Sequence, residues 1–276
     1  MRAPPTRSKT SVAAMRRKRN SAAANSRPTS DAGAGAVEIA TDSGCVIATL
    51  RRPAARNRIS GAMARELMDL AESVEDDESV LALAITGAGP AFCSGFDDDV
   101  DPRLVETLAI ISKPTVAVIN GDALDEGLEL AMALDLRAAA IGARFALTQL
   151  MRGALPHFGG TQRLARIIGA GHALKMILTG EAIKGDQAMR LGLVTYLAGD
   201  RKELERVARD LFVTLASRGP LAARMVKDAV RKGYDMTLEQ GIRLEEDLYA
   251  LLQSTADRAE GVRAFLEKRK PLFKGA

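Results

Sequence analysis

The chain has 276 residues, 47% of them hydrophobic, and a formal charge of +4, a balance that makes a globular enzyme with one sizeable core, or a core plus a small appendage, the default class. No apolar run approaches the roughly 20 residues needed to cross a bilayer, and the N-terminus lacks the uninterrupted apolar stretch of a secretory signal, so a soluble, cytoplasmic protein with no membrane partner is expected. Cys45 and Cys93 have no second Cys or His at metal-ligand spacing, which argues against a disulfide framework or a zinc site and fits a reducing compartment.

Residues 1–33 carry eight basic side chains, Arg2 to Arg27, against Asp31 alone, a local +7 that leaves −3 for the rest of the chain. The basic pI therefore belongs to the tail, and nucleic-acid binding by the folded body loses its main support. Rich in Ala, Ser, Arg and Pro, the tail is predicted to be disordered. An organelle transit peptide, a start codon at Met15 or later, and a solvated basic arm are all compatible with that composition.

Folding signals begin near Ala36, where apolar residues alternate on either side of the turn Asp42-Ser43-Gly44, the pattern of a β-hairpin. A helix is predicted over 60–74, capped by Ser60 and carrying Met63, Leu67, Leu70 and Val74 on one stripe. Next come a buried strand over 80–86, a helix over 103–111, a strand over 115–120, a helix starting near Glu126, and strands over 136–140 and 144–147. Strands alternating with helices over short connections indicate an α/β fold with parallel pairing. From Thr161 onward the pattern is helical, with one strand candidate at 193–197 and helices over 202–217, 219–232, 236–253 and 255–268. The division expected is a tail (1–33), an α/β core (34–200) and a helical C-terminal lobe (201–276). No internal sequence repeat is strong enough to name.

Three stretches carry candidate chemistry. Ala91-Phe92-Cys93-Ser94-Gly95-Phe96-Asp97 follows a strand, and its glycine allows a sharp turn that frees the next N–H for a ligand. In Asn120–Ala131 a strand passes through a turn of small residues into a helix, whose N-terminus offers unpaired N–H groups and a positive dipole end to an oxyanion. Glu129, one turn in, is either a carboxylate complementing that dipole or a catalytic acid/base. In Leu155–Leu164 the pair Gly159-Gly160 reads as a turn with Thr161 as N-cap, and His157, beside a Pro and a Phe, reads more readily as a hydrogen-bonded packing residue than as a base.

The ordered motifs AFCSGFD, NGDALDEGLELA, GGTQRLARIIG, ILTGE, MRLGLV and EGVRAFLEKRKPLF, over about residues 36–274, resemble those of the crotonase superfamily, enoyl-CoA hydratase/isomerase family. The resemblance implies a spiral of ββα units with an α-helical C-terminal lobe, assembled as a homotrimer or homohexamer. It also implies an acyl-CoA partner whose thioester carbonyl lies in an oxyanion hole formed by the backbone N–H groups of Phe96 and Glu126. By the same resemblance Glu129 and Gln149 fall on the two catalytic glutamates of the hydratases. Phe92, Ser94, Gly95, Gly127 and His157 would lie along the substrate, Arg56 at the CoA entrance, and Phe265 and Lys268 at the CoA, often across a subunit boundary. The thioester is its own electron sink, so no cofactor and no metal is expected.

Two departures stand against the family pattern. Where relatives usually have Gly-Gly-Gly this chain has Asp125-Glu126-Gly127, which strains Asp125 or Glu126 if the backbone there needs a positive φ. Where they commonly have Pro-Glu it has Thr148-Gln149, and a carboxamide orients water but carries no proton at neutral pH. Hydration of a 2-enoyl-CoA to a 3-hydroxyacyl-CoA is the leading expectation. Double-bond isomerisation, decarboxylation or hydrolysis are alternatives that need fewer groups, and RNA binding through the basic tail is the non-enzymatic one.

Overall fold

The computed structural model describes residues 35–276; the tail assigned to 1–33 lies outside the described residues. The first strands, β1 (Ala36–Asp42) and β2 (Cys45–Arg51), pair antiparallel around Ser43 and Gly44. Both turn residues have positive φ, 51° and 78°, as a two-residue hairpin turn of the right twist requires. Helix α1 (Gly61–Asp76) follows, with Ser60 accepting from the Met63 N–H at 3.4 Å and the stripe Met63, Leu67, Leu70 and Val74 fully buried. At its other end the buried Lys113 ammonium donates to the Val74 and Asp77 carbonyls, both at 2.6 Å, a cation at the negative end of the helix.

The chain then repeats one unit three times: β3 (Ala82–Gly87), β4 (Ala91–Cys93) and α2 (Leu104–Ala109); β5 (Thr115–Ile119), β6 (Asp122–Leu124) and α3 (Glu126–Ala133); β7 (Leu136–Ala140), β8 (Arg144–Ala146) and, after a 3₁₀ turn at Gln149–Arg152, α4 (Gly160–Ile168). The first strand of each unit joins one sheet and the second strand joins another. The sheets are completed by β9 (Ile183–Lys184) and β10 (Tyr196–Ala198), in the orders β1-β2-β3-β5-β7-β10 and β4-β6-β8-β9. Apart from the β1–β2 and β8–β9 pairs, all pairings are parallel. This is the ββα spiral. It repeats in backbone rather than in side chains, since each unit buries different residues against its neighbours.

Helices α5 (Ala170–Thr179) and α6 (Gly185–Arg190) lead into β10. The strand expected at 193–197 starts later, at Tyr196, because the Leu193 and Val194 N–H groups close the end of α6 on the Ala188 carbonyl. Helix α7 (Arg201–Ala216) covers the outer face of the first sheet, burying Leu204, Ala208, Leu211 and Phe212 against Ala82, Ala84, Val116 and Ala138. Among the described residues no helix is long and apolar enough to cross a membrane.

The last helices are α8 (Pro220–Gly233), α9 (Leu238–Gln253) and α10 (Ala256–Leu266). Neither α8 nor α9 buries a residue, so polar anchors do the holding. Lys227 and Arg231 on α8 each reach Asp135 at 2.7 Å, while Asp135 accepts from the Thr115 N–H and hydroxyl at 2.8 and 2.9 Å. Arg231 also donates to the Ala133 carbonyl at 2.9 Å. Removing the carboxylate strands two cations, one of them largely buried. Asp135→Ala is expected to destabilise the chain by about 2–4 kcal/mol in urea unfolding and to speed amide exchange in α8 before the rest; a change below about 0.5 kcal/mol would contradict this anchoring.

Candidate functional site

Three consecutive parallel strands of the second sheet end at one place. β4 runs into Gly95-Phe96, β6 into Asp125-Glu126 and the start of α3, and β8 into Thr148-Gln149. All of α3 after Glu126 is buried. The helix lies directly on the end of β4, since a Cβ at Gly127 would collide with the Cys93 carbonyl; only glycine permits that approach.

Glu129, fully buried in the first turn of α3, is the centre of the cluster. Its Oε1 accepts from the Phe158 N–H at 2.8 Å and the Gly160 N–H at 2.7 Å, and its Oε2 accepts from Gln149 Nε2 at 3.1 Å. The carboxylate therefore caps helix α4 from outside. Thr161, expected as the N-cap, lies within α4; the cap residue is Gly159, at φ 95°, without a side-chain bond of its own. A Cβ at Gly160 would stand 2.8 Å from Glu129 Oε1, so the second glycine of the pair is the space the carboxylate occupies. Burial raises the Glu129 pKa to about 7, against the pull of the Gly160 and Phe158 N–H bonds. Gln149 is itself buried, and its Oε1 has no hydrogen-bond partner among the described residues, an open acceptor beside the carboxyl group.

The two residues expected as oxyanion donors are linked through the Glu126 side chain. Gly95 turns at φ 129°, and the Phe96 N–H that follows it donates to Glu126 Oε2 at 3.3 Å. The Glu126 N–H belongs to the first turn of α3, where the helix itself offers no acceptor. The Glu126 side chain thus enters the site, which the sequence reading did not require. The Phe96 ring closes this side by packing edge-on against Phe158, centroids 5.2 Å apart.

The strain falls on Asp125, at φ 50° and ψ −123°, a conformation that costs a residue with a side chain about 1–3 kcal/mol. Its carboxylate accepts from the Thr148 N–H at 2.5 Å, from the Thr148 hydroxyl at 2.9 Å and from Arg152 at 3.2 Å. These contacts were missed in the sequence, although the pairing of Asp for Gly with Thr for Pro was a visible signal.

The remaining candidates lie around or away from this cluster. Phe92, expected along the substrate, is fully buried and packs in the main core. Ser94 donates to the Ala55 carbonyl at 3.4 Å. Arg56 shares Asp122 with Arg144, both at 2.6 Å, and half of its side chain is exposed. His157 is exposed, its ring 4.1 Å from that of Phe158, in a cleft of about 410 Å³ that also takes in Glu106, Arg163, Arg166 and Asp235. Phe265 is 82% exposed and Lys268 is exposed; within one chain neither bonds to the Glu129 cluster. Among the described residues no group of three or more His, Cys, Asp or Glu side chains converges as a metal site.

Two models of the enoyl-CoA hydratase/isomerase family match the sequence, over residues 99–276 and 45–100. The chain belongs to that family. Among relatives within the enoyl-CoA hydratase/isomerase family, it is 38% identical to the 2,3-dehydroadipyl-CoA hydratase of Escherichia coli K12 over 243 residues, 83% of this chain and 95% of the relative. It is 37% identical to the (E)-benzylidenesuccinyl-CoA hydratase of Thauera aromatica, covering 83% and 94%. A crystal structure of an enoyl-CoA hydratase from Bacillus anthracis superimposes with a TM-score of 0.84 at 33% identity, covering 87% of this chain and 99% of that one.

The raised Glu129 pKa has a signed consequence for stability. The folded state holds the Glu129 proton up to about pH 7, while the unfolded chain releases it near 4.5, so stability falls as pH rises through that window. Relative to Glu129→Gln, the wild type should lose about 3 kcal/mol between pH 4.5 and 7 and stay level above, as read by denaturant unfolding at each pH. Parallel curves for the two proteins would rule out the raised pKa.

Proposed function

We propose that the chain hydrates a 2-enoyl-CoA to a 3-hydroxyacyl-CoA, with Glu129 as the single proton carrier. The observation that carries this reading is the pairing of a carboxyl group near neutrality with Gln149, whose Oε1 is an open acceptor. A substrate water donates one hydrogen to the ionised Glu129 Oε2 and the other to Gln149 Oε1, which turns an oxygen lone pair toward Cβ of the enoyl group. As the C–O bond forms, the O–H bond facing Glu129 breaks and the carboxylate takes that proton, while the Cα=Cβ electrons move onto the thioester oxygen as an enolate. The Phe96 and Glu126 N–H groups bind that oxygen, displacing the Glu126 carboxylate from the first of them; each such donor contributes about 3–4 kcal/mol to the barrier reduction. The enolate collapses and Cα takes the proton from Glu129, which restores the carboxylate. One carboxyl group thus passes the proton between atoms on one face of the substrate, and Gln149 orients without ionising.

In this reading Gly95 and Gly127 shape the hole, Ser94 and His157 border the acyl group, and Arg56 stands at the CoA entrance. Phe265 and Lys268 serve the CoA of a neighbouring subunit in a homotrimer or homohexamer. The exposed apolar side chains Val226, Val230, Leu238, Ile242 and Phe265 on α8–α10 support such an assembly. The thioester supplies the electron sink, so the reaction calls on no further cofactor. Two buried, unpaired cysteines fit a cytoplasmic location.

The test is turnover of a panel of 2-enoyl-CoA thioesters, following hydration and double-bond migration separately. Wild type is expected to hydrate, with kcat/KM rising tenfold per pH unit below about 7 and levelling above, because the base works ionised. Glu129→Gln should lose about 10²–10⁴ in kcat. Migration of the double bond without hydration would transfer the assignment to an isomerase, for which a single base suffices.

A further inference from the structure

Asp125 holds two main chains at once. Its carbonyl accepts the Leu128 and Glu129 N–H groups at 3.0 and 3.1 Å, which fixes the first turn of α3. Its carboxylate, on a residue only 7% exposed, accepts the N–H and hydroxyl of Thr148, the residue before Gln149, and is braced by Arg152. An Asp at the N-cap ordinarily turns its side chain onto the second or third N–H of its own helix. Asp125 makes no such bond, because its positive φ directs the carboxylate across to Thr148. The first turn of α3 is thereby left open, and the spacing between α3 and the 3₁₀ turn is set by one side chain.

We propose that Asp125 and Thr148 form a positioning latch that holds the Glu129 carboxyl group against the Gln149 carboxamide, 3.1 Å away. Neither latch residue touches the reacting atoms; the latch acts through the two that do, and so rests on the reading of Glu129 and Gln149 given above. Its parts are matched. Asp125 tolerates its backbone conformation because Thr148 offers an N–H and a hydroxyl, and the half-buried Thr148 N–H is satisfied because Asp125 is there to accept it. Removing one partner orphans the other, whereas removing both leaves only Arg152 without its partners, and that side chain is exposed to water.

The experiment is a double-mutant cycle on the full chain with Asp125→Gly, Thr148→Pro and the pair together, plus Asp125→Asn. Glycine suits the φ of 50°, so Asp125→Gly should stay folded. It should lose about 10–100-fold in kcat with KM changed by less than about threefold, the signature of misplaced proton handling with intact binding. Asp125→Asn, which keeps an oxygen for the Thr148 N–H, should recover most of that loss, and the double variant should be more active than either single one. A kcat at the wild-type level in Asp125→Gly, or single effects that simply multiply in the double variant, would overturn the latch.

Should the wild type hydrate nothing, the functional reading fails separately, and the latch is read from unfolding. The same cycle must then be non-additive in stability, and the Glu129-dependent fall between pH 4.5 and 7 must be altered in Asp125→Gly. Additive stabilities with an unchanged fall would overturn it.

Discussion

The structure of the site depends on one buried carboxylate. A charge away from water is costly unless it is hydrogen-bonded, so the segments that bring donors to Glu129 must arrive together: the loop before α4 with two N–H groups and the 3₁₀ turn with the Gln149 amide. Those donors lower the cost without abolishing it. Desolvation still outweighs them and leaves the group titrating near neutrality, where a carboxyl group both accepts and returns a proton with little driving force lost. The contact that assembles the loops and the shift of the carboxyl group toward neutrality thus have the same origin.

The place of this cluster follows from the two-sheet spiral. Each unit sends a short second strand into the smaller sheet, and because β4, β6 and β8 run parallel, their carboxyl ends lie side by side. The Gly95-Phe96 turn, a helix start and a 3₁₀ turn therefore fall next to each other although the sequence separates them by more than 20 residues at each step. The first sheet and its covering helices supply the apolar burial that keeps these short strands in register.

Much of this was legible in the sequence. Long strands and helices announced themselves by periodicity, as with the stripe from Met63 to Val74, and their observed bounds differ by a residue or two. The three-residue strands β4 and β6 carry no readable period, so the second sheet was visible only through the family resemblance. Glu129, Phe96 and Glu126 were singled out by motif, and the structure brings them to one locality. What could not be read was direction: that Asp125 turns away from its own helix, that Glu126 reaches the Phe96 N–H, and that Phe92 points into the core. Each is decided by a backbone dihedral or a packing choice that residue type leaves open.

The external capping of α4 makes positions 129 and 149 unequal in their tolerance of substitution. Glu129 is at once the polar end-piece of one helix and a core residue of another, so nearly any replacement there disturbs folding. Gln149 answers to one hydrogen bond and leaves its second polar atom uncommitted. A new side chain at position 149 therefore disturbs one hydrogen bond, whereas one at position 129 opens a helix end and the core together.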